Sequence, residues 1–294
     1  MKHPLPDTIN LHFTPRCNAR CRFCFAEYSE IKSICSTQVL KEIITQIAEV
    51  PSDTPRRINF VGGESTTHAD LPEMLAHAKN EGLSTSIVTN GLNLLLHGIE
   101  PYRNFVDLIG LSIDSVEPAT ILQTGRYNSK TGFVPTSQQW LSLADDIHSA
   151  DIGLKINTVV TRLNLHEDMT PFIRRMTPKK WKLFQVTRVA GQNDTVFSHW
   201  AITPEEFEDY CKRHFKIASN DLQIVPESSD IMLNSYAIIG PNGCFVDNHE
   251  GRHSYSPPIN ETDILDAWHS VRFDHTAYVV RHASRPFSQE VANV

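Results

Sequence analysis

The sequence predicts an α/β protein whose parallel sheet curls into a full or partial (β/α)6 barrel. Six short runs rich in β-branched residues alternate with helix-like segments over the first 220 residues. Such alternation is typical of a parallel sheet with right-handed crossovers. At 294 residues the chain is also long enough, since about 250 residues is ordinary for an α/β barrel.

The strand-like runs are short, and several end in Gly, Asn or Asp, which are typical of turns. The helix-like segments carry the signals of helix starts. Ser36 or Thr37 caps the first of them, and Thr203 followed by Pro204 begins the last. The predicted strands are residues 8–13, 57–62, 84–90, 108–114, 154–161 and 181–187.

The pattern changes after Asn220. Three strand-like runs follow one another there without helices between them. We therefore expect a core domain at 1–220 and a small C-terminal β/irregular extension at 221–294. The extension is predicted as a meander that caps the active site, with one helix near 263–271.

Composition and charge exclude several classes of protein. Hydrophobic residues make up 40% of the chain and charged residues 21%, which is typical of a globular protein with a sizeable core. No run approaches the roughly 20 apolar residues of a membrane helix, and the first residues lack a signal peptide, so we expect a cytoplasmic protein with no membrane partner. The net charge of −7 argues against a nucleic-acid polymer as partner.

Polar and cationic residues interrupt strands that should be almost entirely apolar in a sheet covered by helices. They recur at a spacing of two, which places both members of a pair on one face of the strand. A single buried lysine is best explained by pairing with an acidic residue, but four strands share the departure, which favours a polyanionic ligand in the mouth of the barrel. The pairs are Asn10 and His12, Arg57 and Asn59, Lys155 and Asn157, and Lys180 and Lys182.

Three of the six cysteines, Cys17, Cys21 and Cys24, lie in one short stretch, CNARCRFCF. Clustered thiols in a reducing compartment indicate metal ligands rather than disulfides. A closed zinc site uses four ligands, so three thiols beside an aromatic residue suggest a metal centre that is open on one side. A zinc site completed by a distant fourth ligand is the alternative on spacing alone.

The C-x3-C-x2-C spacing, with an aromatic residue before the last cysteine, resembles the cluster motif of the radical S-adenosylmethionine (SAM) superfamily. NFVGGEST at 59–66 resembles the GGE motif of that superfamily, and SIVTNG at 86–91 and LSIDS at 111–115 end strands as its cofactor-contacting segments do. The resemblance implies a partial barrel of the radical SAM type. It also implies a [4Fe–4S] cluster. Cys17, Cys21 and Cys24 each bind one of its four irons, and SAM binds the remaining iron.

Further segments are similar to the viperin-like enzymes, in particular to their prokaryotic forms. LKINTVV and WKLFQV match segments that other members of the superfamily lack. The resemblance implies conversion of a nucleoside triphosphate to its 3′-deoxy-3′,4′-didehydro analogue, in antiviral defence. In that reaction a 5′-deoxyadenosyl radical abstracts the 4′-hydrogen, and the 3′-hydroxyl then leaves as water. CTP, UTP and GTP all stay open as substrates, because the stretch after FQ differs from that of the family.

The resemblance also implies roles for individual residues, with some departures from the family pattern. Thr89 stands where the family commonly has serine, Arg57 where lysine is usual and Lys180 where arginine is usual, and GGEST replaces the more usual GGEP. Tyr236 matches a tyrosine of the C-terminal loop and is a candidate acid for the loss of water. The implied SAM contacts are Gly62, Gly63, Glu64, Thr89 and Arg126. The implied substrate contacts are Asn10, Arg57, Lys155, Asn157, Lys180, Lys182 and Tyr236.

Two alternatives to the nucleotide dehydratase stay open at this point. One retains the radical chemistry and takes another phosphorylated compound or a peptide as substrate. The other is a zinc-stabilised binding protein without catalysis. The radical chemistry also requires an electron donor, for which we expect a flavodoxin- or ferredoxin-like protein.

Overall fold

The structure is a computed structural model that describes residues 3–282. The strands of its main sheet are β1 (Thr8–Thr14), β2 (Arg57–Gly62), β3 (Ser84–Thr89), β4 (Leu108–Ser112), β5 (Gly153–Val160), β6 (Lys180–Gln185), β7 (Gln223–Glu227) and β8 (Ala237–Ile239). All eight are parallel, in the spatial order β7-β6-β5-β4-β3-β2-β1-β8. A separate antiparallel pair is formed by β9 (Val246–Asp247) and β10 (Ser254–Tyr255).

Helices connect the strands, and two of them begin at the predicted caps. Ser36 accepts a hydrogen bond from the amide of Val39, and Thr203 accepts one from the amide of Glu206. No helix within residues 3–282 has the length and apolar character needed to cross a membrane. The helices are α1 (Thr37–Glu49), α2 (Leu71–Asn80), α3 (Leu92–His97), α4 (Pro118–Thr124), α5 (Ser137–Ser149), α6 (Thr170–Met176), α7 (Pro204–His214), α8 (Ser229–Met232), α9 (Ile264–His269) and α10 (His275–His282).

The two edge strands approach each other, which shows that the sheet curls. In a flat sheet, β7 and β8 would be about 34 Å apart, because neighbouring strands are about 4.8 Å apart. Yet the hydroxyl of Tyr236, the residue before β8, donates a hydrogen bond to Glu227, the last residue of β7. The predicted partial barrel is thereby confirmed, with an inner face that is distinct from the face covered by helices.

Strand β6 shows how the two faces differ. Trp181 is fully buried on the outer face, where its indole NH donates to the Thr158 hydroxyl at 2.9 Å and its ring meets His214 of α7 edge-on. Lys180 and Lys182, on either side of Trp181, point to the inner face. This alternation follows from the pleat, since successive side chains of a strand point to opposite sides.

The six predicted strands are confirmed, with ends that differ by a few residues. The predicted C-terminal meander is wrong in one respect, because β7 and β8 extend the main sheet at its two edges. Curling brings these edges together, so residues 228–236 are sufficient to connect them. The helix predicted near 263–271 is α9. The division at residue 220 stays a prediction, and residues 283–294 of the predicted extension lie outside the described residues.

Candidate active site

The cysteine loop follows β1 at the carboxyl end of the sheet and is held through its backbone. On one side, the amide of Glu64 donates to the carbonyl of Arg16 at 2.8 Å. On the other side, the amide of Arg20 donates to the carbonyl of Gly125 at 3.0 Å. The GGE segment after β2 and the residues after α4 therefore fix the loop from both sides.

Glycines allow this close contact, because a side chain would collide with the loop. A Cβ at Gly63 would lie 2.3 Å from the carbonyl oxygen of Arg16, and a Cβ at Gly125 would lie 2.0 Å from that of Arg20. Gly125 also has a φ of +81°, which residues with a side chain rarely adopt. Gly62, predicted with Gly63 to contact SAM, packs against β1 in the same way.

The three thiols lie near one another on this loop. Burial raises the pKa of Cys17 to about 11 and that of Cys21 to about 12, and it also raises the pKa of Cys24. The free thiols are therefore protonated near neutral pH, and iron must displace these protons when it binds. In a [4Fe–4S] cluster each thiolate binds its own iron, so three thiols on one rigid loop fit this group.

The described residues contain no preformed site for a single metal ion, and this holds for the three cysteines as well. Within residues 3–282, no group of three or more His, Cys, Asp or Glu side chains is arranged to hold a metal ion. A mononuclear zinc site needs such a set around one ion.

Glu64 joins the carboxyl ends of β2 and β3 to the cysteine loop. Its buried carboxylate accepts hydrogen bonds from the hydroxyls of Thr66 and Thr89, at 2.6 and 2.5 Å, and from the amide of Asn90 at 2.6 Å. Asn90 in turn donates to Asn18 of the cysteine loop at 2.8 Å. Glu64 and Thr89, two of the predicted SAM contacts, thus lie together beside the loop.

Arg126 also lies against the cysteine loop. Its Nε donates to Asp114 at 2.6 Å, and its guanidinium carbon is 5.5 Å from the centre of the Phe23 ring. Burial opposes the charge, but Asp114 and Cys21 together raise the pKa of Arg126, which stays protonated. Asp114 is not among the predicted site residues. Its signal in the sequence is an acidic residue two positions after the end of β4, within LSIDS.

The four predicted cations come together on the inner face. In the register of the sheet, Lys155 of β5 pairs with Lys180 of β6, and Asn157 pairs with Lys182. Burial, followed by the charges of Lys182, Lys180 and Arg57, lowers the pKa of Lys155 to about 7. Glu227 forms an ion pair with Lys182 at 2.5 Å. Within residues 3–282, no acidic side chain forms an ion pair with Lys155, Lys180 or Arg57, which favours an anionic ligand beside these three.

The position of these cations along the strands corrects one expectation. Arg57 and Lys180 are the first residues of their strands, and Lys155 and Lys182 are the third. Arg57 and Lys180 therefore lie at the amino ends of their strands, and Lys155 and Lys182 lie one pleat further in, whereas the predicted position was the mouth of the barrel. A strand of five or six residues is about 17–20 Å long, so most of the barrel depth separates Arg57 and Lys180 from the cysteine loop, and less of it separates Lys155 and Lys182 from that loop. A spacing of two residues shows that two side chains lie on the same face of a strand, but it does not show which end of the barrel they are near.

Polar side chains continue across the middle of the inner face. Asn59 Nδ2 donates to Asn10 Oδ1 at 2.8 Å, Ser86 donates to Asn59, and Asn10 Nδ2 donates to the carbonyl of Ala237 at 3.3 Å. This row runs from β3 to β8 and is formed by the third residues of β1, β2 and β3. Asn10, a predicted substrate contact, is thus fixed in place by its neighbours.

Nine buried side-chain polar atoms have no hydrogen-bond partner within residues 3–282, and three of them belong to the residues discussed here: Nε of Arg57, Oδ1 of Asn157 and Nε of Arg281. Buried polar groups are paired in most native proteins, so each exception needs an explanation. Arg57 and Asn157 are both predicted substrate contacts. A polar ligand on the inner face would supply the partners that these atoms lack.

Sequence reasoning missed two functional features of the inner face. Gly110 lies opposite Lys155, and a Cβ at Gly110 would be 2.8 Å from Cε of Lys155, so this glycine leaves room for the lysine side chain. A glycine inside a strand often marks such a close approach, which is a signal that LIGLS contains. Arg281 of α10 is buried near Tyr236, and an arginine late in the chain gives no sequence signal for this location.

Comparison with known proteins agrees with the fold and the cysteine loop. Residues 11–176 match the radical SAM superfamily, and the chain belongs to this superfamily. The predicted cofactors, a [4Fe–4S] cluster and SAM, are confirmed as those of the superfamily. A solved structure of Streptococcus suis SuiB bound to SAM superimposes with a TM-score of 0.69 at 15% identity, over 95% of this chain and 68% of SuiB, which shows a shared fold.

Curated relatives are more similar in sequence. A protein of Flammeovirga pacifica is 34% identical over 93% of each chain, and one of Lacinutrix mariniflava is 35% identical over 93% of this chain. Both are named S-adenosylmethionine-dependent nucleotide dehydratase. This chain spans 57% of the length of the Lacinutrix protein.

We expect Gly125→Ala to reduce the iron bound by the protein. The new Cβ would collide with the Arg20 carbonyl and displace the cysteine loop, whose geometry determines cluster binding. Gly132→Ala is the matched control, because Gly132 has a similar φ of +72° but a Cβ added there would meet no atom within 4 Å. Iron and sulfide per chain, measured after anaerobic reconstitution, should fall in Gly125→Ala only. Equal iron content in both variants would contradict the role given to this contact.

Proposed function

We propose that this protein is a radical SAM nucleotide dehydratase that acts on a nucleoside triphosphate. The observation that carries the proposal is the placement of four cations on the inner face of the same half-barrel that presents the three-cysteine loop. The names of the Flammeovirga and Lacinutrix relatives support the same reaction class. We further propose that the product is the 3′-deoxy-3′,4′-didehydro analogue and that it serves antiviral defence.

The arrangement of charges favours one orientation of the substrate. A triphosphate is most strongly attracted to the amino end, where Arg57, Lys155, Lys180 and Lys182 lie. Its ribose then lies beside the asparagine row, and its sugar carbons extend towards the cysteine loop. Asn10 belongs to this row and Asn157 pairs with Lys182 in the register of the sheet, so both are beside the cations, which supports their predicted roles as substrate contacts.

The protein's task in this reaction is to bind, orient and shield. When bound, the reduced cluster and SAM supply one-electron chemistry that removes a hydrogen atom from the sugar. Phosphate binding at a distance from the reacting carbon can fix the sugar in the orientation needed for that step. Arg126, Glu64 and Thr89 hold the cofactor end of the site, and the curled sheet keeps bulk water away from the sugar.

Three finer points stay predictions. The stretch after β6 does not define the base, so CTP, UTP and GTP all stay open. A flavodoxin- or ferredoxin-like donor is expected, and the exposed Arg16, Arg20 and Arg22 on the cysteine loop would suit an acidic protein. A cytoplasmic location also stays a prediction.

We expect Lys180→Ala to raise the KM for the nucleoside triphosphate roughly 10- to 100-fold, the cost of one charge-assisted hydrogen bond to phosphate. Lys179→Ala is the matched control, because this neighbouring lysine is exposed and belongs to no strand. The measurement is 5′-deoxyadenosine formation by reconstituted enzyme with SAM, dithionite and CTP, UTP or GTP in turn. Identical kinetics for both variants with the active nucleotide would contradict the proposed phosphate site.

We expect triphosphate binding to weaken as pH rises above 7. Lys155, whose pKa is about 7 in the free protein, must take up a proton to bind the anion, because the bound phosphates raise its pKa. Well below pH 7 Lys155 is already charged, so its contribution to triphosphate affinity does not change with pH there. Calorimetry in two buffers of different ionisation enthalpy measures the number of protons taken up when the triphosphate binds. The same measurement on Lys155→Met gives the protons taken up by the triphosphate itself. Equal proton uptake by both proteins above pH 7 would contradict this role.

A further inference from the structure

Glu227 is the centre of a buried network that the proposed reaction does not yet explain. It ends β7 and is completely buried. Its carboxylate accepts a hydrogen bond from Lys182 at 2.5 Å, one from Arg281 at 3.3 Å, and one from the Tyr236 hydroxyl. These three side chains come from β6, from α10 and from the residue before β8. One carboxylate therefore connects both edges of the sheet and the C-terminal helix.

The network fixes Tyr236 on several sides. The guanidinium carbon of Arg281 lies 3.6 Å from the centre of the Tyr236 ring, and Nζ of Lys182 lies 5.6 Å from it. Arg281 also donates to the carbonyl of Ser235, the residue before the tyrosine. Cations over an aromatic face are attracted to it, so the tyrosine is held both by its hydroxyl and by its ring.

Glu227 is charged in this network. Burial alone would raise the pKa of Glu227, but Lys182 and Arg281 outweigh burial and lower it. A buried ion pair often contributes little to stability relative to apolar residues of the same size, so stability alone is a weak explanation for its presence. Lys182 is also one of the four cations proposed to bind phosphate. Glu227 thus neutralises part of the charge that the substrate would otherwise meet.

We propose that Glu227 is a positioning residue that weakens phosphate binding while it sets Tyr236 and Lys182 in the geometry needed for turnover. This inference rests on the proposed function. The carboxylate then has two opposite effects: it weakens phosphate binding and it supports turnover. A residue that only stabilised the fold would affect both in the same direction.

The test uses Glu227→Gln, which keeps the size of the side chain and removes its charge. The variant loses the negative charge of Glu227, and a bound anion keeps Lys155 and Lys182 protonated at pH 6. Inorganic triphosphate should therefore bind roughly tenfold more tightly by calorimetry at pH 6. Turnover of the nucleoside triphosphate at saturation should fall roughly tenfold or more, because Tyr236 and Lys182 lose their common acceptor. Both measurements use the reconstituted enzyme.

Two further variants keep the test informative if Glu227→Gln folds poorly. In Glu227→Gln combined with Arg281→Gln, the net charge equals that of the unaltered protein, so triphosphate affinity should return to within about threefold of it while turnover stays low. Tyr236→Phe removes the hydroxyl that donates to Glu227 and changes no charge, so turnover should fall without the roughly tenfold gain in triphosphate affinity expected of Glu227→Gln. Melting temperature is recorded for each variant.

Each outcome has a defined meaning. Weaker triphosphate binding by Glu227→Gln, in parallel with lower turnover and a lower melting temperature, would overturn the inference and leave the proposed function intact. Normal binding and turnover by that variant would overturn it as well. If the unaltered protein bound no triphosphate, the proposed function would fail and this inference would fail with it.

Discussion

The grouping of four cations on the inner face of a curled sheet, with Lys155 buried among them, is the constraint on which the rest of the structure depends. Lys155 cannot be placed beside Lys180, Lys182 and Arg57 without a large electrostatic cost, which is reflected in its lowered pKa. Replacing these residues with apolar ones would give a more favourable empty barrel. Their presence is consistent with selection for an anion that enters the barrel rather than for stability of the fold.

The second constraint is the rigid attachment of the cysteine loop. Backbone hydrogen bonds from the GGE segment and from Gly125 fix the loop at the opposite end of the barrel from the cations. The cations and the cysteine loop are attached to strands of one sheet, so the distance between them is determined by the strands rather than by flexible segments. A single sheet thus defines where a bound phosphate lies relative to the thiols.

The alternation of strands and helices allowed the sequence to predict the six core strands, and the spacing of two identified the cations on the inner face. The end of the barrel at which they lie could not be predicted, because a pleat repeats identically along a strand. The pairing of β7 and β8 with the sheet edges depends on curling, which no local pattern encodes. Arg281 and Gly110 acquire their roles only through tertiary packing, so their local sequence signals are weak or absent.

The central claim, that phosphates at the amino end place the ribose against the cofactor end, is tested most directly by isotope transfer. Reconstituted enzyme is given SAM, dithionite and the active nucleoside triphosphate deuterated at C4′, and the 5′-deoxyadenosine formed is analysed by mass spectrometry. We expect one deuterium to be found in the 5′-deoxyadenosine. Transfer from a substrate labelled at another sugar carbon, with none from C4′, would contradict the claim.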